Sequence, residues 1–95
     1  MNMSEMDIYF EINHKDTLVD FLLSQGYNDF YFFSCNRYGA GAFLKSAHEQ
    51  VSARADFGVF KLFLDQETML ALSSSIKQSL HGKNIKMYTY GISEL

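Results

Sequence analysis

The 95-residue sequence contains no proline and no tryptophan, and its only cysteine is Cys35. A single cysteine excludes an internal disulfide bond and fits a reducing compartment. No stretch approaches the roughly 20 consecutive apolar residues that a transmembrane helix needs. Residues 1–7 lack the basic and apolar segments of a signal peptide. We therefore expect a cytoplasmic protein that does not insert into a membrane.

Basic side chains are also few, with eight Lys and Arg against eleven Asp and Glu, a net charge of −3. This balance argues against a nucleic-acid binder, which usually presents a basic face. Hydrophobic residues make up 47% of the chain and aromatic residues 16%, which predicts a packed core. The length favours one domain, residues 1–95.

Hydrophobic periodicity predicts two β-α-β units. Alternation with a period of two predicts strands over residues 7–12, 29–38, 55–64 and 85–92. Helical spacing predicts one helix over residues 15–25, capped by Asn13 and ended by Gly26, and a second helix between Asp65 and Gly82. The aromatic run at the start of the second strand favours a strand that is covered on both faces.

Two such units with right-handed crossovers give a ferredoxin-like α+β sandwich, a four-stranded antiparallel sheet with both helices on one face. The other face would then carry aromatic side chains that the chain itself leaves uncovered. We expect an oligomer interface there, formed by Tyr9, Phe33, Phe57 and Tyr88.

Stacked bases are the alternative cover for this face. Residues 8–13 and 56–60 approximate the first-strand and third-strand motifs of an RNA-recognition module, with Tyr9 and Phe57 as stacking platforms. The match is partial, because Ala55 and Asp56 stand where a basic residue and a glycine are usual. An acid there would repel phosphate.

The segment from Tyr38 to Arg54 has no evident packing role. Gly39 and Gly41 at its start could form an anion-holding backbone nest or a hinge. His48 and Glu49 are the candidate ligands for a divalent metal ion. Basic side chains that could neutralise a bound anion are Arg37, Lys45, Arg54 and Lys83. No spacing indicates a catalytic constellation, so we do not expect an enzyme.

With these elements in place, the chain resembles the PII-like signalling family over residues 7–92. The resemblance is carried by the first strand and helix ending at Gly26, by residues 30–41 entering a long loop between the second and third strands, and by Asp65 opening the second helix. Within that family the chain is most similar to a short, uncharacterised branch often coded beside heavy-metal efflux systems. The similarity to that branch lies in residues 43–51 and a basic position like Arg54.

The resemblance implies a homotrimer whose open sheet faces meet at the centre. It also implies a small ligand or metal ion in the clefts between subunits, and a loop that reports to a transporter or enzyme. Related copper-tolerance trimers keep a metal-linked role open. The Gly-rich, Lys-bearing segment of ATP-binding relatives is reduced here to residues 81–83, which argues against adenine-nucleotide binding.

The sequence therefore predicts a PII-like homotrimeric regulatory protein with an unidentified ligand. The residues expected to contact that ligand or a partner are Arg37, Gly39, Gly41, His48, Glu49, Gln50, Arg54 and Lys83. Single-stranded RNA binding and a non-sensing accessory subunit of an efflux system are the competing interpretations.

Overall fold

A computed structural model describes residues 3–39 and 54–95 of the chain. Within these residues the chain forms four strands, two α-helices and one turn of 3-10 helix. The elements in chain order are β1 (Met3–Glu11), the 3-10 turn (Ile12–His14), α1 (Lys15–Ser24), β2 (Tyr31–Tyr38), β3 (Arg54–Asp65), α2 (Gln66–Ser79) and β4 (Lys86–Ile92).

The strands form a single sheet in the order β2-β3-β1-β4. Each neighbouring pair is antiparallel, with Ile8 of β1 opposite Phe60 of β3 on one side and Met87 of β4 on the other. Phe32 of β2 is opposite Phe60. This arrangement confirms the predicted ferredoxin-like α+β fold.

The core lies between the two helices and one face of the sheet. Side chains from alternate positions of β1 and β3 meet the apolar stripes of α1 and α2 there. The buried core residues are Met6, Ile8, Phe10, Leu18, Leu22, Phe60, Leu62, Met69, Leu72, Ile76 and Leu80. Met69, Leu72 and Ile76, which recur at helical spacing in the sequence, form the buried stripe of α2. The other face of the sheet has no helix on it in the described residues.

The two helices begin in different ways. Asp65 caps α2 as predicted, because its carboxylate accepts a hydrogen bond of 2.8 Å from the Thr68 backbone N–H. The predicted Asn13 cap of α1 is wrong. The 3-10 turn carries the chain directly into α1, and His14 stands at the N-cap position without a capping hydrogen bond from its side chain.

Gly26 and Gly82 follow the helices with φ angles of +90° and +84°. Both lie in the left-handed region that glycine adopts with little strain. Their predicted roles in ending the helices are confirmed.

Two strands differ from their predictions. β1 begins at Met3 rather than residue 7, so Glu5 and Asp7 lie inside the sheet; this acidic start looked unlike a strand, although Ser4 and Met6 are buried on the helix side. β2 is an edge strand whose residues are all exposed in the single chain, so the described residues do not themselves supply the predicted cover on both faces. Phe33 of β2 retains 52% of its accessible surface.

No helix among the described residues combines the length and the apolar character needed to cross a membrane.

Candidate functional site

The helix-free face of the sheet, called the open face below, carries a group of exposed aromatic side chains. The strand register puts alternate residues of all four strands on this face. Its exposed members, with the exposed fraction of each, are Tyr31 (56%), Phe33 (52%), Phe63 (44%), Tyr88 (50%) and Tyr90 (47%). Each strand except β1 thus contributes at least one exposed ring to the open face.

The rings of the open face contact each other across strands. Tyr9 and Tyr88 meet edge to face with centroids 5.6 Å apart, and Tyr31 and Phe63 do so at 6.1 Å. Such geometry is favourable for aromatic pairs and restricts their rotamers. Contacts within the single chain therefore already restrict the orientation of some of these rings.

A cleft of about 520 Å³ crosses the open face near the end where β2 finishes and β3 begins. Its lining combines aromatic rings, two cationic groups, two amides and a thiol. The lining residues are Tyr9, Cys35, Asn36, Arg37, Phe57, Asn84, Lys86, Tyr88 and Tyr90.

Arg37 and Phe57 form one wall of the cleft. The guanidinium carbon of Arg37 lies 5.4 Å from the centroid of the Phe57 ring, a cation–π arrangement. Phe57 is only 5% exposed, so its ring does not project from the wall into the cleft. Lys86 of β4 lies opposite Tyr9 of β1 and supplies the second positive charge.

An ionic cluster occupies the middle of the open face. Lys61 Nζ lies 2.6 Å from Glu5 Oε2 and 3.6 Å from Asp7 Oδ1. Asp7 Oδ1 is buried and has no hydrogen-bond partner among the described residues. Lys61 also lies 6.0 Å from the ring centroid of Phe33. The cluster therefore contains one carboxylate that is well paired and one that is not.

The pKa values of the cluster follow this asymmetry. The hydrogen bond from Lys61 holds the pKa of Glu5 below its ordinary value. Burial, followed by the nearby Glu5 carboxylate, raises the pKa of Asp7. The hydrogen bond to Glu5 raises the pKa of Lys61, which keeps its ammonium charged. Loss of water contact and the neighbouring Asp7 charge raise the pKa of Tyr90.

The structure brings together residues that the sequence assigned to different roles. Arg37, predicted to contact a ligand, shares the cleft with Tyr9, Phe57 and Tyr88, predicted to form an oligomer interface. Phe33, the fourth interface residue, lies on the same face outside the cleft lining. The open face therefore carries residues of both predicted roles.

The remaining predicted contact residues are not gathered at the cleft. Arg54 begins β3 and is half-buried, and Lys83 is exposed in the turn before β4; neither lines the cleft. Gly39 follows β2 directly. The other predicted contact residues, Gly41, His48, Glu49 and Gln50, lie outside the described residues, as does Lys45.

Metal ligands are not clustered in the described part of the chain. No group of three or more His, Cys, Asp or Glu side chains there could hold an ion. His81 Nδ1 lies 3.1 Å from the Gln78 carbonyl oxygen, which is a local contact at the end of α2. Cys35 is exposed on the edge strand β2.

Sequence reasoning missed several residues of these sites. Asn84, Lys86 and Tyr90 join the cleft because β4 starts beside the end of β1, a juxtaposition that depends on the strand order. The ionic cluster was missed because Glu5 precedes the predicted first strand. The alternation of Glu5 and Asp7 with buried Ser4 and Met6 is the signal that could have placed both carboxylates on the open face.

The fold and the open face define a class, α+β proteins of ferredoxin-like fold, here with an aromatic sheet face on which no helix of residues 3–39 and 54–95 lies. The particular family is given by the match of residues 2–95 to the family model described as "Protein of unknown function (DUF3240)", and the chain belongs to this family. The match agrees with the uncharacterised branch expected from the sequence. It says nothing of PII-like signalling or of metal efflux. No curated protein matches the chain.

Proposed function

We propose that the protein is a cytoplasmic, PII-like, homotrimeric regulatory protein whose subunits pack together through the open face. A small anionic ligand binds in the cleft, which a neighbouring subunit completes, and the segment between β2 and β3 contacts a partner such as a transporter. The observation that carries this proposal is the gathering of exposed aromatic rings on the open face, which neither described helix covers.

The area of the aromatic surface supports association. Five rings that are each about half exposed present roughly 500 Å² of mostly apolar surface. Complete burial at about 25 cal/mol per Å² corresponds to about 12 kcal/mol per subunit. This is comparable to the cost of association, about 4–15 kcal/mol. The free energy gained by burying the open face is therefore large enough to drive assembly when the surrounding contacts are also favourable.

The chemistry of the cleft supports a small anionic ligand. Its volume falls in the range of about 300–1,000 Å³ that small-molecule sites occupy. Arg37 and Lys86 supply positive charge, and the tyrosine hydroxyls and the amides of Asn36 and Asn84 supply hydrogen bonds. The aromatic walls favour a ligand that also has a flat apolar part.

The same face is less suited to single-stranded RNA. Phe57, one of the two expected stacking platforms, is 5% exposed and cannot offer its ring to a base without rearrangement. Glu5 and Asp7 put excess negative charge at the centre of the face, where it would repel phosphate. These features favour a second copy of the chain as the cover of the open face.

The solution mass tests the assembly. Light scattering after size-exclusion chromatography should give about three times the chain mass of 10.9 kDa. Phe33→Glu should dissociate the trimer, because it removes roughly 100 Å² of apolar contact and places a charge in the interface. The matched control is Leu70→Glu, since Leu70 is 55% exposed on α2 and away from the open face.

A wild-type particle of one chain mass at millimolar concentration would exclude the proposal. Retention of the trimer by Phe33→Glu would exclude the open face as the interface. Far-UV circular dichroism of both variants checks that the fold is intact.

The fluorescent probe 8-anilinonaphthalene-1-sulfonate, an aromatic anion, tests the cleft. Lys86→Glu should weaken its binding to the trimer at least tenfold, whereas Lys77→Glu on the exposed surface of α2 should not. Equal affinity in both variants would remove the cleft from the proposal. Calorimetric titration with Zn²⁺ on wild type and His48→Ala tests the metal-linked alternative, and absence of any small-molecule binding would favour the accessory-subunit interpretation.

A further inference from the structure

The Asp7 carboxylate is the most unusual polar group on the open face. Asp7 is 5% exposed, and its Oδ1 atom accepts no hydrogen bond from the described residues. It lies on β1, an inner strand, opposite Lys61 of β3 and Tyr88 of β4. A buried carboxylate oxygen without a hydrogen-bond donor is costly when ionised, because the hydrogen bonds lost with water are not replaced.

The charges around Asp7 do not balance. Lys61 is the only ammonium of the cluster, and it donates its short hydrogen bond to Glu5, at 2.6 Å, rather than to Asp7, at 3.6 Å. The groups that face Asp7 from β4 are the phenols of Tyr88 and Tyr90, which carry no positive charge. Glu5, Asp7 and Lys61 together therefore hold one excess negative charge per chain.

The exposed rings lie on both sides of this cluster. Tyr31 is opposite Lys61, and Phe63 is opposite Glu5 on the neighbouring strand. Tyr90 is opposite Glu5 on the other side of β1. A subunit that covers these rings must also cover the carboxylates between them. Assembly then moves the excess charge further from water, and the ionised form becomes less favourable still.

We propose that assembly of the protein through the open face is coupled to the uptake of a proton by Asp7, up to one per subunit. The proton turns one carboxylate oxygen of Asp7 into a hydrogen-bond donor. It also removes the excess negative charge from the interface. This inference rests on the proposed function, since it requires the open face to be buried between copies of the chain.

In the single chain, burial and the Glu5 carboxylate already raise the pKa of Asp7 above its ordinary value. Further burial on assembly acts in the same direction. The sign follows from linkage. Association that takes up protons is strongest at low pH and weakens as the pH rises through the pKa of Asp7 in the free chain and above it. A metal ion is a poorer neutraliser here, because the Lys61 ammonium lies within 3.6 Å of both carboxylates and would repel it.

Analytical ultracentrifugation between pH 5 and pH 8 at constant ionic strength tests this inference. For a monomer–trimer equilibrium that takes up one proton per subunit, the association constant should fall by up to about 1,000-fold per pH unit. Asp7→Asn should flatten this dependence and strengthen association at pH 8. The matched control is Asp20→Asn, which changes an exposed aspartate on α1 and should leave the wild-type dependence intact.

A second measurement needs no variant. The heat of trimer dilution, measured at one pH in two buffers, should differ by the number of protons released multiplied by the difference between the ionisation enthalpies of the buffers. Equal heats in both buffers, or an unchanged pH dependence in folded Asp7→Asn, would overturn the proton coupling while leaving the trimer in place. A monomer at every pH would overturn both the coupling and the proposed function.

Discussion

Replacing Gly58 with alanine should destabilise the fold, because the β3 backbone approaches two aromatic rings at this position. An ideal Cβ on Gly58 would lie 2.6 Å from Cζ of Phe10 and 2.8 Å from Cε1 of Phe32, both far inside van der Waals contact. Phe10 is fully buried and stacks on Phe60 with centroids 4.7 Å apart. Its ring cannot withdraw without disturbing the centre of the core.

Overpacking of this kind costs about 1–3 kcal/mol. Alanine also restricts the unfolded chain, which offsets the cost by about 0.4–1 kcal/mol. The net loss in the free energy of unfolding is the difference, about 0–2.6 kcal/mol, with a central value of about 1.3 kcal/mol. For a chain of this length that central value lowers the thermal midpoint by about 5–10 °C. Since Phe57 is the next residue along β3, the displacement should also disturb the cleft wall.

Urea unfolding at equal protein concentrations measures the effect, because any self-association contributes to apparent stability. The matched control is Gly91→Ala in β4, where a Cβ would have no atom within 4 Å. The control should equal or slightly exceed wild type in stability. If Gly58→Ala proves as stable as Gly91→Ala, the close packing of β3 against Phe10 and Phe32 is not as the structure has it.

Three further outcomes can be measured by unfolding experiments. Asp65→Ala should lower the thermal midpoint by a few degrees near neutral pH. The hydrogen bonds from Thr68 lower the pKa of Asp65, so this difference between variant and wild type should vanish in melts at acidic pH, where Asp65 is protonated. Lys61→Met should destabilise the fold at pH 7 and do so less at pH 4, since the carboxylates of Asp7 and Glu5 take up protons there, Asp7 first. An equal loss in the free energy of unfolding at both pH values would contradict this interpretation of the cluster. Gly26→Ala should cost about 1 kcal/mol by urea unfolding, because alanine is strained at a φ of +90°, and a neutral result would contradict the left-handed turn.

The sequence was sufficient to predict the fold because its local signals agree with one another. Met69, Leu72 and Ile76 recur at helical spacing and are all buried in α2, and Asp65 caps that helix. Gly26 and Gly82 both end helices with positive φ angles. These features depend on residues close together in the chain, so they can be read without knowing the tertiary structure.

The errors occurred where tertiary context decides. Asn13 is a good capping residue, yet it lies inside the 3-10 turn at residues 12–14, and His14 takes the N-cap position of α1. The apolar character of Phe32 and Phe33 predicted a strand covered on both faces, but the described residues leave β2 exposed at the sheet edge. The strand order sets this position. Strand order depends on pairing between distant segments, which local periodicity does not encode.

The candidate site was predictable only in part. The alternation of β1, β2, β3 and β4 placed Tyr9, Phe33, Phe57 and Tyr88 on one face, and the structure keeps all four there. Their meeting with Arg37 in a cleft requires the register of four strands. The pairing of Lys61 with Glu5 in preference to Asp7 requires atomic distances.

Cys35 is a natural site for attaching a spectroscopic label. The thiol is the only one in the chain, it is exposed, and it stands in the cleft wall beside Arg37 and Phe57. A maleimide dye or nitroxide would therefore react at one site without any engineered mutation. Each labelled chain would carry its reporter at the same spot, so spin–spin or energy-transfer distances between labels would map how neighbouring chains are arranged.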